Sequence, residues 1–445
     1  MTQSLFRKLS CFGILAVLAV LWHTAGSAQT QESQRHDWDD SPSEAILLLP
    51  PPVSAAYYST NFTSELEANY FGAGLTVTGA YSNNIYGLSV WPNVAFAKTT
   101  ARLNTVLNYS PGFTAYSQRS APNQFNTNLS WIFQYRVSPN VTVSLNETFN
   151  DASNIFNRPN PGDTIAISGS LPPPQQAVIS TVAGQRINGT DLQITYRCGD
   201  NCMIGGDGSY NSLNFASSSE LLGLFDSRSA SGSIFYSRRL RQKWSAGVVG
   251  LYQDIESFQT GTKNGINTNT QTQSIFAFVT YYFRPTLSIS FSLGPQHASS
   301  TQNPLSAVQS WSPLTMVSVG WQGSRTSVAA SYARLVSGAA GLNGAYQTNV
   351  AALATRWRAT RNWSLGASAS YLQYKTLTPT FVLSTTGGRT ITGVASVQRA
   401  IGRHFSTQAG YSWIQQSYSG GGAASPYPNL DYTFISLSYQ FVRPL

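Results

Sequence analysis

Charge is what this sequence has least of. Only 10% of its 445 residues are Asp, Glu, Lys or Arg, against roughly a quarter in an ordinary soluble protein. A chain of this length cannot clothe a water-exposed globule with so few charges, so a typical soluble enzyme is disfavoured at the outset. The three cysteines and four histidines leave little material for thiol, metal or acid–base chemistry. Long apolar runs are missing as well. The best candidate, Cys11 to Trp22, follows Arg7 and Lys8 and precedes Gly26-Ser27-Ala28. It falls short of the ~20 apolar residues that a membrane helix needs, and its flanks are those of a cleavable secretory leader. Residues 1–28 are therefore read as a signal peptide. Thr286 to Gly323 contains no charged residue, yet it is too rich in Ser, Thr, Gln, Asn and Gly to be helical in lipid.

What is abundant is aromatic and uncharged polar. Aromatic residues make up 12% of the chain, beside many Ser, Thr, Asn and Gly. This is the composition of a barrel whose outside tolerates few charges and whose wet inside takes uncharged polar groups. The formal net charge of +9 has the sign of a nucleic-acid binder. The basic residues nevertheless recur singly at the ends of alternating segments, which suits anchoring at a membrane rim and gives no reason to expect a nucleic-acid partner.

Residues 29–69 read as a periplasmic N-terminal tail or linker. It carries Asp37, Asp39, Asp40 and Glu44 and the run Pro50-Pro51-Pro52, and is too short to form a plug domain. From about Tyr70 onward the hydrophobic period becomes two, so 70–445 is expected to be an outer-membrane β-barrel. The clearest segment sets Leu287, Ile289, Phe291 and Leu293 against Ser288, Ser290, Ser292 and Gly294. Another sets Phe125, Thr127, Leu129, Trp131, Phe133 and Tyr135 against Asn126, Asn128, Ser130, Gln134 and Arg136, with Ile132 the one misfit.

One unit repeats: Arg136 to Val141, Arg239 to Trp244, Arg358 to Trp363 and Arg399 to Phe405 are each a short polar turn that restarts alternation at Val or an aromatic residue. Such turns mark the periplasmic side of a barrel and place Trp244, Trp363 and Phe405 in its lower aromatic girdle. Counting with this template predicts an all-β, antiparallel, up-and-down transmembrane barrel of about 18 strands, with short periplasmic turns and longer extracellular loops. The alternative is 16, reached by omitting segments 187–197 and 203–215. The longest connection, 153–186, holds Pro172-Pro173-Pro174; it either folds inward to narrow the pore or stands as an exposed flap.

Few residues are candidates for chemistry. Cys198 and Cys202 flank a three-residue turn, so a disulfide is the expected reading; metal binding would need further ligands, and no His lies nearby. His297 near Ser299 and Ser300, and Asp254 with Glu256, lack the surrounding pattern of a hydrolase, and are read as exposed rim groups. No catalytic, cofactor or metal residue is therefore assigned. Arg102, Arg136 and Arg197 share a phase with Asn104, Asn108, Asn126 and Asn128, and are expected to face the lumen, where arginines favour anions; rim anchoring is the competing reading. Tyr439 and Phe441 in the last strand resemble the aromatic-terminated signal read by barrel-assembly machinery, although Val442 to Leu445 follow where that signal would end.

The segments Tyr109–Phe113, Phe133–Pro139, Gly294–His297 and Phe434–Leu445 resemble those of large bacterial outer-membrane barrels akin to the β-barrel porin families that include exopolysaccharide-associated members. The resemblance implies a fold and a location in the outer membrane. The expected function is a porin-like passive channel for small solutes. A barrel serving polysaccharide export and a non-conducting surface-binding barrel stand beside it. Expected partners are outer-membrane lipid, the assembly machinery and the solute or polysaccharide.

Overall fold

Alternation with period two commits a segment to a strand whose two faces differ, and in the computed structural model every alternating segment folds in this way. The structure describes residues 69–82, 85–117, 124–152, 184–215, 224–258, 267–284, 286–302, 307–338, 342–377, 387–419 and 429–444. Residues 1–68, where the signal peptide and nearly all of the tail are expected, and most of the long 153–186 connection lie outside the described residues. The strands are β1 Asn69–Ser82, β2 Ile85–Thr99, β3 Leu103–Tyr116, β4 Gln124–Arg136, β5 Val141–Ala152, β6 Gln185–Arg197, β7 Cys202–Phe215, β8 Asp226–Arg241 and β9 Trp244–Phe258. They continue as β10 Asn267–Arg284, β11 Leu287–Gln302, β12 Val308–Gln322, β13 Thr326–Gly338, β14 Ala345–Arg358, β15 Trp363–Thr376, β16 Gly387–Ile401, β17 Phe405–Ser419 and β18 Asn429–Pro444.

Each strand pairs antiparallel with its sequence neighbours, and β18 closes onto β1 with Phe441 opposite Ala73. Closure satisfies the backbone within the wall, which is what a sheet surrounded by lipid requires. The β6–β7 pair is present, with Gln193 opposite Asp207, so the barrel has eighteen strands and not sixteen. Val442 to Pro444 do not trail away after Phe441; they pair with Gly72 to Tyr70 and lengthen the closing seam.

The two faces are as different as the sequence demands. On β11, Ile289, Phe291 and Leu293 are exposed on the outer face while Ser290 and Ser292 are buried on the lumen face. Exposed Trp244, Phe283, Trp321, Trp357, Phe405 and Phe441 ring the outer surface near the short turns, and Tyr86, Phe125, Tyr252, Trp311 and Trp413 ring it near the long loops. Two aromatic girdles around an apolar band are suited to the two interfaces of a bilayer. Trp363 belongs to the first girdle, and the Arg399 guanidinium sits 5.1 Å over its ring, a cation–π contact that keeps the charge at the rim.

The repeated turn unit also has a local cause. Ser138 Oγ accepts from the Val141 amide at 3.1 Å, and Thr360 Oγ1 accepts from the Trp363 amide at 3.2 Å. A hydroxyl that bonds a backbone amide three residues on closes the turn and hands the chain to the next strand. Between β6 and β7 the turn is closed covalently: Cys198 and Cys202 form a disulfide, with Gly199 at φ 123°, where a side chain would be strained. A loop this short constrains the unfolded chain by only about 2 kcal/mol, and the β6–β7 ladder already holds its ends together. The Cys198→Ser, Cys202→Ser double variant should therefore still fold to a heat-modifiable barrel. Its urea midpoint on semi-native gels should fall slightly; failure to assemble would show that the bridge guides folding.

Candidate functional site: the lumen

Register decides which side chains look inward. Reading the cross-strand partners from β2 to β6 places Ala95, Asn108, Ser130, Thr148 and Gly189 in one lumen-facing row. Asn104, Gln134, Ser144, Gln193 and Asp207 lie in another. Asn126 and Asn128 share this face. Asn126 is buried and donates through Nδ2 to Thr114 Oγ1 at 3.2 Å. Asn128 accepts from the Asn150 amide, and Asn104 accepts from Thr99 Oγ1 at 3.2 Å, whereas Asn108 is exposed inside the barrel. The amides thus form a polar lining that is partly tied to the wall and partly open to solvent. Ile132, the misfit of the sequence pattern, faces the lumen opposite Asn146.

Arg136 ends β4 and Arg197 ends β6, both in the lumen-facing phase and both at the short-turn end. Arg102 sits in the turn before β3, where its carbonyl accepts from the Arg136 amide at 2.7 Å. Two more arginines, placed by the sequence only at the start of the repeated turns, share this arrangement: Arg239 on β8, opposite Ser245, and Arg358 on β14, opposite Ser364. All five belong to one end of the lumen, so mouth and rim coincide there. Deeper inside are two lumen-facing carboxylates that were also not foreseen, Asp191 and Asp207, both buried, with Ser233 donating to Asp207.

The opposite side of the lumen differs from an open column of water. Met203, Phe235, Val249, Phe276, Leu314 and Leu335 all point inward and are buried in one apolar cluster. A lumen-facing residue becomes this buried only when something covers it. The cover is the β13–β14 hairpin. The β12–β13 ladder stops at Thr315 opposite Arg334, while β13 continues along β14 to Gly338 opposite Ala345. The upper part of β13 therefore peels away from β12 and crosses inside it. The Val336 amide donates to Gln296 Oε1 of β11 at 2.8 Å, and β13 comes within 8 Å of β9, Cα to Cα.

The tip seals the closure. Tyr346 is fully buried, its ring 5.7 Å from Tyr374 in an edge-on contact, its hydroxyl donating to the Asn343 carbonyl at 3.0 Å. Thr268 Oγ1 of β10 donates to Asn343 Oδ1 at 2.8 Å. Leu342 and Tyr346 pack with Leu213 and Phe215 of β7, seven strands away around the wall, so this contact spans the lumen. Gly344 at φ 96° allows the sharp reversal at the tip. The long 153–186 connection, expected either to fold inward or to stand as an exposed flap, lies mostly outside the described residues; the described element that folds into the lumen is this other hairpin.

Beyond the lumen, His297 lies on the outer face of β11 with its ring 4.8 Å from Trp311, a girdle contact. Asp254 and Glu256 are on the outer face of β9 beyond Tyr252, opposite Ala230 and Arg228. Among the described residues no three His, Cys, Asp or Glu side chains group as metal ligands. Tyr439 and Phe441 are on the outer face of β18, with Tyr439 packed 5.0 Å from Phe405.

No protein-family model and no curated protein matches the chain. Solved structures with a similar course of chain are bacterial outer-membrane barrels. The outer membrane protein OprD of Pseudomonas aeruginosa has 7% identity and a TM-score of 0.42, over 88% of this chain and 98% of that one. OccK3 of the same organism has 10% identity and a TM-score of 0.40, over 84% and 96%. The ferric-catecholate import receptor Fiu of E. coli K12 has 9% identity and a TM-score of 0.43, over 83% and 81%. Likenesses of this size assign neither a solute nor a family.

Proposed function

We propose that this protein is an outer-membrane pore for small polar solutes, with its short turns in the periplasm, held closed in this conformation by the β13–β14 hairpin. The carrying observation is the contrast within one lumen. The wall of β2 to β6 presents Asn, Ser, Thr and Arg side chains, several of them open to solvent, while apolar side chains of the wall from β7 to β15 are covered, among the described residues, by a folded-in hairpin. A sealed barrel also suits a non-conducting surface protein, and conductance separates the two.

The test is single-channel recording of the refolded barrel in planar bilayers under a salt gradient. Discrete openings with anions favoured over cations are expected, because the arginines at the mouth concentrate anions. Changing Arg136 and Arg197 to Glu should lower the anion-to-cation permeability ratio by about twofold or more. Complete silence from a heat-modifiable barrel, in variants with the hairpin loosened as well, would leave the surface-protein reading.

A further inference from the structure

One carboxyl group of the outer wall stands where ionisable groups are expensive. Glu147 is on the outer face of β5, with Leu145 below it and Phe149 above, between Trp131 of β4 and Thr190 of β6. It is six residues past Val141, the first residue of β5. At ~3.3 Å per residue and a tilt of ~40° that puts it about 15 Å above the short turns, inside a lipid-facing band ~25 Å tall. Thr190 Oγ1 donates to its Oε2 at 2.5 Å, and nothing else among the described residues bonds it. Asp151, at the top of the same strand, has Arg186 for a counter-ion at 2.9 Å, and Glu147 has no such cation. An ionisable group left half-satisfied among hydrocarbon calls for a partner.

The wall on either side of Glu147 is uneven in a self-complementary way. Toward β3 it forms a ridge, where Tyr109 and Trp131 are exposed and the Trp131 indole is fixed by donating to Thr105 Oγ1 at 3.1 Å. Toward β9 it sinks. Gly208 of β7 lies opposite Gly232 of β8, and Gly232 and Gly250 floor a groove of about 620 Å³ walled by Ile234, Tyr252 and Ile275. No packing demand keeps this floor bare, since a Cβ at Gly208, Gly232 or Gly250 would meet nothing closer than 3.7 Å.

We infer that a second copy of this chain completes the site, in a two-fold dimer whose axis runs along the membrane normal between β5 and β6. Such an isologous contact sets β5 of one barrel against β6 of the other, β4 against β7 and β3 against β8. The heights agree as well. The row of paired residues through Glu147 begins at Phe71, near the short-turn end of β1, and reaches Asp254 beyond the upper girdle on β9. It therefore climbs, by ~3 Å per strand for strands ~4.8 Å apart at this tilt. Trp131 stands ~9 Å below its row partner Tyr210 of β7 by the same climb, which is the level of Gly206 and Gly208. The ridge of each barrel thus meets the hollow of the other, and small residues let two walls approach closely in lipid. At the axis two carboxyls and two threonine hydroxyls bond one another away from the hydrocarbon, with a proton shared between the carboxyls so that two like charges do not meet. The contact uses only the lipid-facing wall and is independent of whether the lumen conducts.

The test is oxidative cross-linking of the refolded full barrel, diluted in phosphatidylcholine liposomes, with Leu145→Cys beside the axis and Leu353→Cys, exposed on the outer face of β14, as the control. The native Cys198–Cys202 pair is already bonded. A disulfide-linked dimer is expected on non-reducing gels from Leu145→Cys, with at least tenfold less from Leu353→Cys. In the Leu145→Cys background, Gly208→Leu fills the hollow and Glu147→Leu removes the polar centre. Each should lower the dimer at least tenfold with heat modifiability intact, whereas Glu147→Gln, which keeps a donor and an acceptor without charge, should retain it. Cross-linking that is equal at the two positions, or that persists in Gly208→Leu or Glu147→Leu, would reflect random encounter or another interface and overturn the dimer. A folded Leu145→Cys barrel that stays monomeric would do the same.

Discussion

Replacing Leu342 and Tyr346 together with alanine should turn a rarely open barrel into a largely open one, with mean conductance rising about a hundredfold. Both side chains are buried where the hairpin tip meets β7 and β15, and in an open lumen both would face water. Their truncation therefore acts on the closed state alone. Removing one large buried side chain costs roughly 3 kcal/mol, and each 1.4 kcal/mol or so is a factor of ten in an equilibrium, so one such loss already supports the estimate.

The closed state has little reserve against it. Closure buries Ser237, Thr272 and Ser274 hydroxyls and the Gln296 amide nitrogen with no hydrogen-bond partner, each costing about 1–3 kcal/mol that rehydration would return. Apolar packing and stranded polar groups thus oppose one another, which is the condition for a gate and not for a permanent plug. The measurement is single-channel recording of wild type and double variant, with heat modifiability confirming that both are folded. An unchanged record from a folded variant would mean that the hairpin is not what blocks the path.

How far this was legible beforehand follows from the residues themselves. Strand number and closure were within reach because the outer face of a barrel must be apolar at every second position, and Leu287 to Gly294 or Phe125 to Arg136 show that rule almost undisturbed. The phase of Asn104, Asn108, Asn126 and Asn128 followed from the same rule. The closure was hidden because alternation says which face a residue takes and nothing about what covers it. Phe276 and Phe278 lie inward among Ile275, Ala277 and Val279, so β10 is apolar on both faces there, and that break in the pattern is the one local signal of a covered lumen wall. Leu314 and Leu335 give no such hint, since their burial depends on where β13 leaves β12, a property of pairing. Arg239 and Arg358 were visible as turn residues; only register could show that they share the lumen-facing phase of Arg136.

The β10 main chain leaves no room for a side chain at Gly294 of β11, and Gly294→Ala should destabilise the barrel by about 3 kcal/mol, the upper part of the usual range for overpacking. Gly294 faces inward between Phe276 and Leu314, and the β10–β11 pairing is interrupted beside it, resuming at Ser274 opposite Gln296 and at Ala277 opposite Leu293. Pro295 contributes to that interruption because it has no amide hydrogen to give to the ladder. The β10 backbone closes down on the space: a Cβ on Gly294 would lie 2.5 Å from Phe276 Cα and collide with the Ile275 carbonyl oxygen. Main chain cannot swing aside as a flexible side chain does, so relief would have to come from moving β10, and with it Phe276 out of the apolar cluster. Gly79→Ala on β1 is the control, since nothing lies within 4 Å of its added methyl. Urea titrations of both variants on semi-native gels should show a lowered midpoint for Gly294→Ala alone. Equal midpoints would mean that the wall between β10 and β11 yields more easily than its register allows.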